Sequence, residues 1–557
     1  MKKNLLLVII AQINICAYAQ APAYLWAKSS AGGSARVSTS SVATDLNGNI
    51  IVAGNFNLGS ILIGSTTLTN PYTNNTSDIY IAKYDASGNV MWAKSVGGNE
   101  GDIVSAIATD ANDNIIVAGY FNSPSITFGS ITLTSVGEED IFLAKYDASG
   151  NVLWAKSAGS AKSDRATSVA TNSNGNIIIA GYFNSLSITF GSNTLTNIGT
   201  TVSDDIFLAN YDASGSVLWA KGAGGSAFEQ PWGVTIDDNG NILITGYFNS
   251  ANITFGSTIL TNPGYASNYG EIFLVKYDAS GDVLWAKNAV GSSSDFAYAV
   301  STDVNGNIFM AGTFKSPTIN FGSTTLTNTG GNFDLFLAKY DAAGNIVWAK
   351  SAGGSDADYA YSLSILANGN IVMAGSFRSN TITFGSSTFT NSGSENTLLV
   401  NYDVSGNVIW AKSEGGNSVD RAISVATDAN SNIIVAGDFW SPNITFGSTT
   451  FASPGYGGDM FVAKLNDATF VNEWDNEAKI FIFPSPTNGK FNFQTTPSLD
   501  FQMINIEIYN LFGENIFQSV INNTKSQVDL SSQPNGVYFV LIKSEQGTSV
   551  QKLIIQK

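Results

Sequence analysis

Ser168-Val169-Ala170-Thr171, Asn176-Ile177-Ile178-Ile179-Ala180-Gly181-Tyr182-Phe183, Asp205-Ile206-Phe207-Leu208-Ala209 and Val217-Leu218-Trp219-Ala220-Lys221 are the four phrases that decide how this chain folds. Each is rich in Val, Ile, Phe, Tyr or Trp and bounded by Gly, Asn, Asp or Ser, which is how a strand is written. The set recurs: Trp-Ala-Lys begins at Trp26, Trp92, Trp154, Trp219, Trp285, Trp348 and Trp410, 62 to 66 residues apart. So steady a period signals an array of one supersecondary unit. Turn chemistry makes that unit a meander. Asp-x-Asn-Gly-Asn, as in Asp45 to Asn49 and Asp303 to Asn307, joins the first strand to the second, Asn-Gly supplying the positive φ angles of a tight hairpin. Asp147-Ala148-Ser149-Gly150-Asn151 and its copies join the third to the fourth.

Four antiparallel strands with apolar faces cannot bury themselves alone, but they can stack radially on neighbouring copies. The expectation is an all-β chain whose residues 20–465 form a seven-bladed β-propeller. Its N-terminus is a fourth strand, Tyr24 to Lys28, with nothing before it, and its last period, Ser424 to Leu465, lacks a fourth strand. The spare piece supplies the missing one, so the N-terminal strand closes the ring and leaves no open sheet edge. An open solenoid, the alternative, needs polar caps at both ends. Each period also carries an extra Ile-Thr-Phe-Gly-Ser hairpin between its second and third strands, on the face opposite the Asn-Gly turns, and the seven repeated tryptophans are expected in the core.

Composition narrows the function. Of 557 residues 12% are charged and 55 are glycine, which excludes a coiled coil and a charge-driven disordered chain. With 26 basic and 43 acidic residues the net charge is −17, so binding to nucleic acid through phosphate neutralisation is disfavoured. Lys2 and Lys3, the apolar run Leu5 to Ile10 and Ala17-Tyr18-Ala19 read as a signal peptide over residues 1–19. No apolar run approaches the roughly 20 residues of a transmembrane segment. There is no histidine, and the only cysteine, Cys16, falls within the expected leader. The mature chain then has no disulfide, no thiolate or imidazole metal site and no Ser/His/Asp or Cys/His nucleophile system. No catalytic residues, cofactor or metal are expected, and the chain reads as a non-enzyme.

After Leu465 the repeat stops. Residues 466–479 read as a polar linker, and 480–557, short strands at regular turn spacing, as a small Ig-like β-sandwich. Two resemblances follow. Asp-x-Asn-Gly-Asn-Ile-Ile-Val-Ala-Gly-Tyr-Phe, Asp-Ile-Phe-Leu-Ala-Lys-Tyr-Asp and Gly-Asn-Val-Leu-Trp-Ala-Lys resemble the bacterial seven-bladed β-propeller repeat family called SBBP, over roughly residues 24 to 465. The order Phe483-Pro484-Ser485-Pro486-Thr487-Asn488-Gly489-Lys490, Asn510-Leu511-Phe512-Gly513 and Pro534-Asn535-Gly536-Val537-Tyr538 resembles the type A C-terminal sorting domain of the type IX secretion system, with Phe483 and Ser485 where Tyr and Asn are usual. The second resemblance implies a Gram-negative host of the Bacteroidota kind, recognition by the type IX machinery, and delivery to the outer-membrane surface or the medium.

Two sets of residues stand out in the propeller. An acid precedes the first-hairpin Asp, or its equivalent, by eight positions in six of seven units: Asp102, Asp164, Glu229, Asp295, Asp358 and Asp420, with Val37 the exception. These acids either form a carboxylate ring at one mouth, open to Ca²⁺ or a cationic ligand, or cap their own loops by accepting backbone N–H bonds. The second set breaks the repeat. Trp440, Arg378 and Lys315 stand at the Tyr-Phe-Asn-Ser position, and Gln230-Pro231-Trp232 reads as an insertion after Glu229. Trp232, Lys315, Arg378 and Trp440 are the ligand-binding candidates, on the loop-rich face, suited to a glycan or a protein. The leading reading is a secreted or cell-surface binding or scaffold protein. A purely structural surface protein and a carboxylate-dependent polysaccharide-acting enzyme are the alternatives.

Overall fold

Apolar runs bounded by tight turns produce the same four strands in every repeat. In the repeat quoted above, Asp164–Thr171, Ile177–Phe183, Asp205–Tyr211 and Val217–Ala223 pair antiparallel in that order. The computed structural model describes residues 21–30, 35–72, 76–199, 203–267, 269–453, 457–466, 480–483, 487–495, 504–510, 514–521, 525–544 and 547–557. The expected leader, 1–19, and nearly all of the expected linker lie outside the described residues. Two compact units are present, Met1–Asp467 and Ala468–Lys557.

Among the described residues the first unit holds seven four-stranded antiparallel sheets and seven two-stranded hairpins, such as Ser187–Phe190 with Asn193–Thr196. The last sheet combines Asp420–Thr427, Ile433–Phe439 and Asp459–Leu465 with the N-terminal strand Tyr24–Ser29, Ala27 lying opposite Ala463. The first strands adjoin one another in chain order from Arg36–Thr44 to Asp420–Thr427, and the last adjoins the first. Side-chain hydroxyls tie this cycle together: Thr109 Oγ1 donates to Thr44 O at 2.8 Å, Thr171 Oγ1 to Thr109 O at 2.6 Å, and Thr44 Oγ1 to Thr427 O at 2.9 Å.

Second and third strands are buried almost throughout, and their apolar residues form cores shared between adjacent sheets, as where Ile51 and Ile79 join Val117 and Phe142. The added hairpins contribute to these cores, Phe128 packing on Phe142 with ring centroids 5.1 Å apart. The repeated tryptophans differ from expectation. Only Trp410 is fully buried; the other six are half-buried. They lie on outer strands and reach the next repeat, where Trp92 Nε1 donates to Ala148 O at 3.3 Å and the indole lies over Gly150. Their packing is inter-repeat glue, because a ring on the outermost strand has a neighbour on one side alone.

Four repeats also bury an ion pair between the turn Asp and the lysine of the third strand: Asp45–Lys83, Asp110–Lys145, Asp237–Lys276 and Asp428–Lys464, at 2.8 to 2.9 Å. In the second unit, strands Ile480–Phe483, Lys490–Thr495 and Lys525–Asp529 form one sheet and Asn515–Ile521, Ile504–Tyr509, Gly536–Ser544 and Gly547–Ile555 a second. Phe491 and Val528 of one meet Ile506, Ile508, Val540 and Leu553 of the other in a single core.

Candidate functional site

The first strand of every repeat pairs with its second strand through a bulge. In Asp102–Thr109, Val104 pairs with Gly119 and Ala106 with Ala118, so Ser105 is skipped. The same skip leaves out Ser40, Thr167, Trp232, Tyr298, Tyr361 and Ile423 in the other six repeats. A bulged residue stands outside the ladder and can be re-aimed. All seven line one cavity of about 470 Å³, together with Tyr120, Tyr182 and Arg165. The glycine opposite each bulge is required by it: a Cβ on Gly119 would lie 2.1 Å from Ile103 O.

The cavity is two-sided in chemistry. Ser40, Ser105 and Thr167 of three consecutive repeats supply hydroxyls, and Trp232, Tyr298 and Tyr361 of the next three supply aromatic rings. Trp232 and Tyr298 meet edge to face at 6.2 Å, and Tyr298 and Tyr361 lie 6.0 Å apart. Arg165 is the one charged residue lining the cavity among the described residues. Its guanidinium lies 4.5 Å from the centre of the Tyr120 ring, donates to Tyr182 Oη at 3.1 Å and makes a two-point ion pair with Glu139.

The four candidates of the sequence fall on this site and its surround. Trp232, 39% exposed, is in the cavity wall. It is no insertion: Glu229–Ile236 has the eight residues and the register of Asp164–Thr171, and Gln230-Pro231-Trp232 replaces Arg165-Ala166-Thr167. Tyr361 stacks on Tyr359 at 5.5 Å, and Tyr298 on Phe296 at 6.3 Å. Tyr359 and Phe296 in turn both contact Phe333. Lys315 Nζ lies 5.7 Å from the centre of Phe333 and the Arg378 guanidinium 5.7 Å from that of Tyr359, so these two cations cover the outer side of one aromatic layer. Arg378 and Arg421 share the buried Glu395, each with Nε 3.0 Å from one of its oxygens. Burial favours the neutral form of Glu395, but hydrogen bonds from Arg421 and Ser376 and both arginine charges outweigh it and hold the group below the usual carboxylate range. Trp440 takes Arg36 and Arg421 against its ring at 5.5 and 5.7 Å.

The six acids sit elsewhere, and they are not open carboxylates at a mouth. All are fully buried. Asp102 accepts the Gly98 N–H at 2.7 Å, the Ser123 N–H at 3.2 Å and the Ser123 hydroxyl at 2.8 Å. Asp164 and Asp420 repeat that set with Ser160 and Ser185, and with Gly416 and Ser441. Glu229 binds the N–H groups of Gly225 and Ser250, and Asp295 and Asp358 bind the serines Ser316 and Ser379. Asp102, Asp164, Glu229 and Asp420 thereby clamp the loop entering their strand to the segment that follows the second strand, whereas Asp295 and Asp358 hold that segment alone. Burial raises Asp164, Asp295 and Asp358 to about 6 and Glu229 to about 7, the serine bonds opposing it. Among the described residues no group of three or more Asp, Glu, Cys or His side chains is placed to hold a metal ion.

Tyr298, Tyr361, Tyr120, Tyr182 and Arg165 were not singled out by sequence. The signal was present in the third residue after each acid, which varies from Ser to Trp while the residue before it is most often Ala.

Comparison with known proteins adds the destination. Residues 481–556 match the secretion system C-terminal sorting domain. That match implies export by the type IX secretion system, to the cell surface or the medium. The chain is 25% identical over 515 residues to an uncharacterized WD repeat-containing protein of Acanthamoeba polyphaga mimivirus, covering 77% of this chain and 36% of that one. It likewise spans 36% of a second curated relative, the regulatory protein FlaEY of Caulobacter vibrioides. Among solved structures, a chain of the mitotic checkpoint complex shares 12% identity at a TM-score of 0.40, over 84% of this chain and 98% of that chain. PorZ, a surface component of the type IX secretion system of Porphyromonas gingivalis, shares 11% at 0.22, over 93% and 81%. No helix of the described residues is long and apolar enough to cross a membrane.

Proposed function

We propose that this chain is a seven-bladed β-propeller of the SBBP repeat kind, sealed by its N-terminal strand and carrying an Ig-like sorting domain. In this reading a bacterium of the Bacteroidota sends it through the type IX system to its surface or surroundings, where it binds a glycan or a protein in the axial cavity. One observation carries the binding reading: seven bulged residues, one per repeat, converge on a single cavity while the framework around them stays nearly constant. A purely structural ring has no need of Trp232, Tyr298 and Tyr361 where other repeats manage with Ser or Thr. Binding is favoured over glycoside hydrolysis because the described cavity wall offers neither of the paired carboxylates that such hydrolysis uses.

The test is capture of ligands by the purified chain from arrays of glycans and from secreted proteins of the host, beside a Trp232→Ala/Tyr298→Ala variant. Binding that the variant loses, with its melting temperature unchanged, supports the reading. Absence of any ligand, or equal capture by the variant, would return the ring to a structural role.

A further inference from the structure

Within that binding reading, we infer that the axial cavity takes a neutral saccharide unit, laid against the Trp232, Tyr298 and Tyr361 wall and hydrogen-bonded from the Ser40 and Ser105 side. A sugar ring has one or both faces of C–H groups and a perimeter of hydroxyls, so it needs an aromatic surface beside scattered donors and acceptors. The cavity offers both. Its rings come from three adjacent repeats and its small hydroxyls from the three before them.

Uncommitted polar groups point the same way. Trp232 Nε1, Tyr120 Oη, Tyr298 Oη and Ser105 Oγ make no hydrogen bond among the described residues, although all four residues line the cavity. Ser40 Oγ accepts from Asn55 Nδ2 at 3.2 Å and keeps its own proton to donate. Polar groups this close to apolar walls are costly to leave without a partner once water is displaced, so the complementary ligand is one that carries hydroxyls.

Neutrality follows from Arg165. The cavity's one cation is held by Glu139 through two hydrogen bonds and needs no anion. An acidic sugar would have to compete with that pair.

A peptide is the poorer fit by the commonest mode open to a sheet protein, addition of a strand to an exposed edge. The free edge of the first strands is the available one, and in four of the seven repeats donors along it are already taken by side chains of the adjoining repeat. Val42 N–H goes to Ser424 Oγ, Val104 N–H to Asn55 Oδ1, Ile107 N–H to Ser41 Oγ, Val234 N–H to Ser168 Oγ and Val425 N–H to Ser362 Oγ, at 3.0 to 3.3 Å.

The experiment titrates the full chain with glucose, galactose, mannose, N-acetylglucosamine and their β-1,4 dimers, with glucuronate and galacturonate, and with an immobilised peptide library, by calorimetry and saturation-transfer NMR. A neutral sugar should bind, with affinity reduced about tenfold or more by Trp232→Ala and by Tyr298→Ala and largely kept by Trp232→Phe. Preference for the uronates, or sugar binding indifferent to Trp232, would overturn the assignment. Peptide capture that depends on Trp232, with no sugar bound, would overturn the saccharide and leave the binding function standing. No Trp232-dependent ligand of any kind would remove both.

Discussion

Asp78 and Asp102 meet at the same turn, one by packing and the other by a hydrogen bond. Asp102 accepts the Gly98 N–H at 2.7 Å, while Asp78 packs so tightly on Gly97 that a Cβ there would lie 2.2 Å from Asp78 Oδ1. That Asp78 oxygen is buried and has no hydrogen-bond partner among the described residues. Paired acids return at Asp140 with Asp164, Asp205 with Glu229, Glu271 with Asp295 and Asp334 with Asp358, each pair close enough for one charge to raise its partner, though at the fourth junction it is Glu271 that accepts the turn's Gly291 N–H. At the sixth junction the third-strand member is Asn396, and at the seventh Asp459 meets the Ser30 hydroxyl in place of a second acid.

Stability should therefore fall as pH rises. Burial, with the neighbouring charge added, lifts Asp78 to about 7 and Glu271 to about 8, against about 4 in an unfolded chain. Between those values the folded state holds protons that the unfolded state has lost, so unfolding releases them and is favoured by higher pH. Melting temperature should drop from pH 5 to pH 8, and Asp78→Asn, which copies Asn396, should shallow the slope. Melts that stay flat or rise over that range would contradict shared protons at the junctions. Below pH 4 the trend reverses: burial notwithstanding, lysine and asparagine bonds hold Asp45, Asp110, Asp237 and Asp428 low, and protonating them destroys the buried ion pairs.

The Asp110–Lys145 pair is 2.8 Å long with both side chains almost fully buried. Lys145→Met strands a buried carboxylate and should cost about 3–5 kcal/mol in urea unfolding. The third repeat carries neutral residues at both positions, Asn172 and Asn210. Asp110→Asn/Lys145→Asn should accordingly recover more than half of the loss, and a double variant no better than the single one would show that the pair does not act as a unit.

Gly119→Ala forces a methyl group onto Ile103 O and the Phe142 ring, so a loss above about 2 kcal/mol is expected. Ser105→Ala, at the bulge it faces, should stay within about 0.5 kcal/mol. Equal effects would mean that the bulge is not independent of its ladder.

Deleting residues 24–29 removes the outer strand of the last sheet, including the Tyr24 ring 5.5 Å from Phe446. The exposed edge of Asp459–Leu465 should lower the melting temperature and promote association through unpaired strands. A monomer with unchanged melting on sedimentation and calorimetry would refute the sealing role.

Truncation after Asn466 removes the sorting domain and leaves the seven four-stranded sheets of the first unit. The shortened chain should fold and accumulate in the periplasm of a type IX-competent host. Its appearance in the medium at normal levels would deny these residues their sorting role.

Repeated features were readable before the structure because each copy restates the same physics. Asp-x-Asn-Gly-Asn and Asp-Ala-Ser-Gly-Asn declare turns, and the missing strand after Leu465 points to Tyr24. Lys315, Arg378 and Trp440 were found as departures from the pattern. Tyr298 and Tyr361 were not, since an aromatic in a β phrase reads first as core, and only the register shows that it stands outside the ladder. The second row of acids was missed for a related reason: Asp140 opens Asp-Ile-Phe-Leu-Ala and looks like a strand boundary until its distance from Asp164 along the chain is folded away.

The bulge also separates what a repeat must keep from what it can exchange. A skipped residue has no partner in the backbone ladder, so these seven positions can change at less cost to strand pairing than their neighbours while the turns, clamps and glycines go on spelling the same scaffold, although side chains such as Thr167, Trp232, Tyr298 and Tyr361 still touch the second strand or one another. Ser40, Ser105, Thr167, Trp232, Tyr298, Tyr361 and Ile423 then form a seven-character word inside a fixed grammar. A chain with a different cavity lining need differ in little more than that word, and a designer could rewrite it one letter at a time.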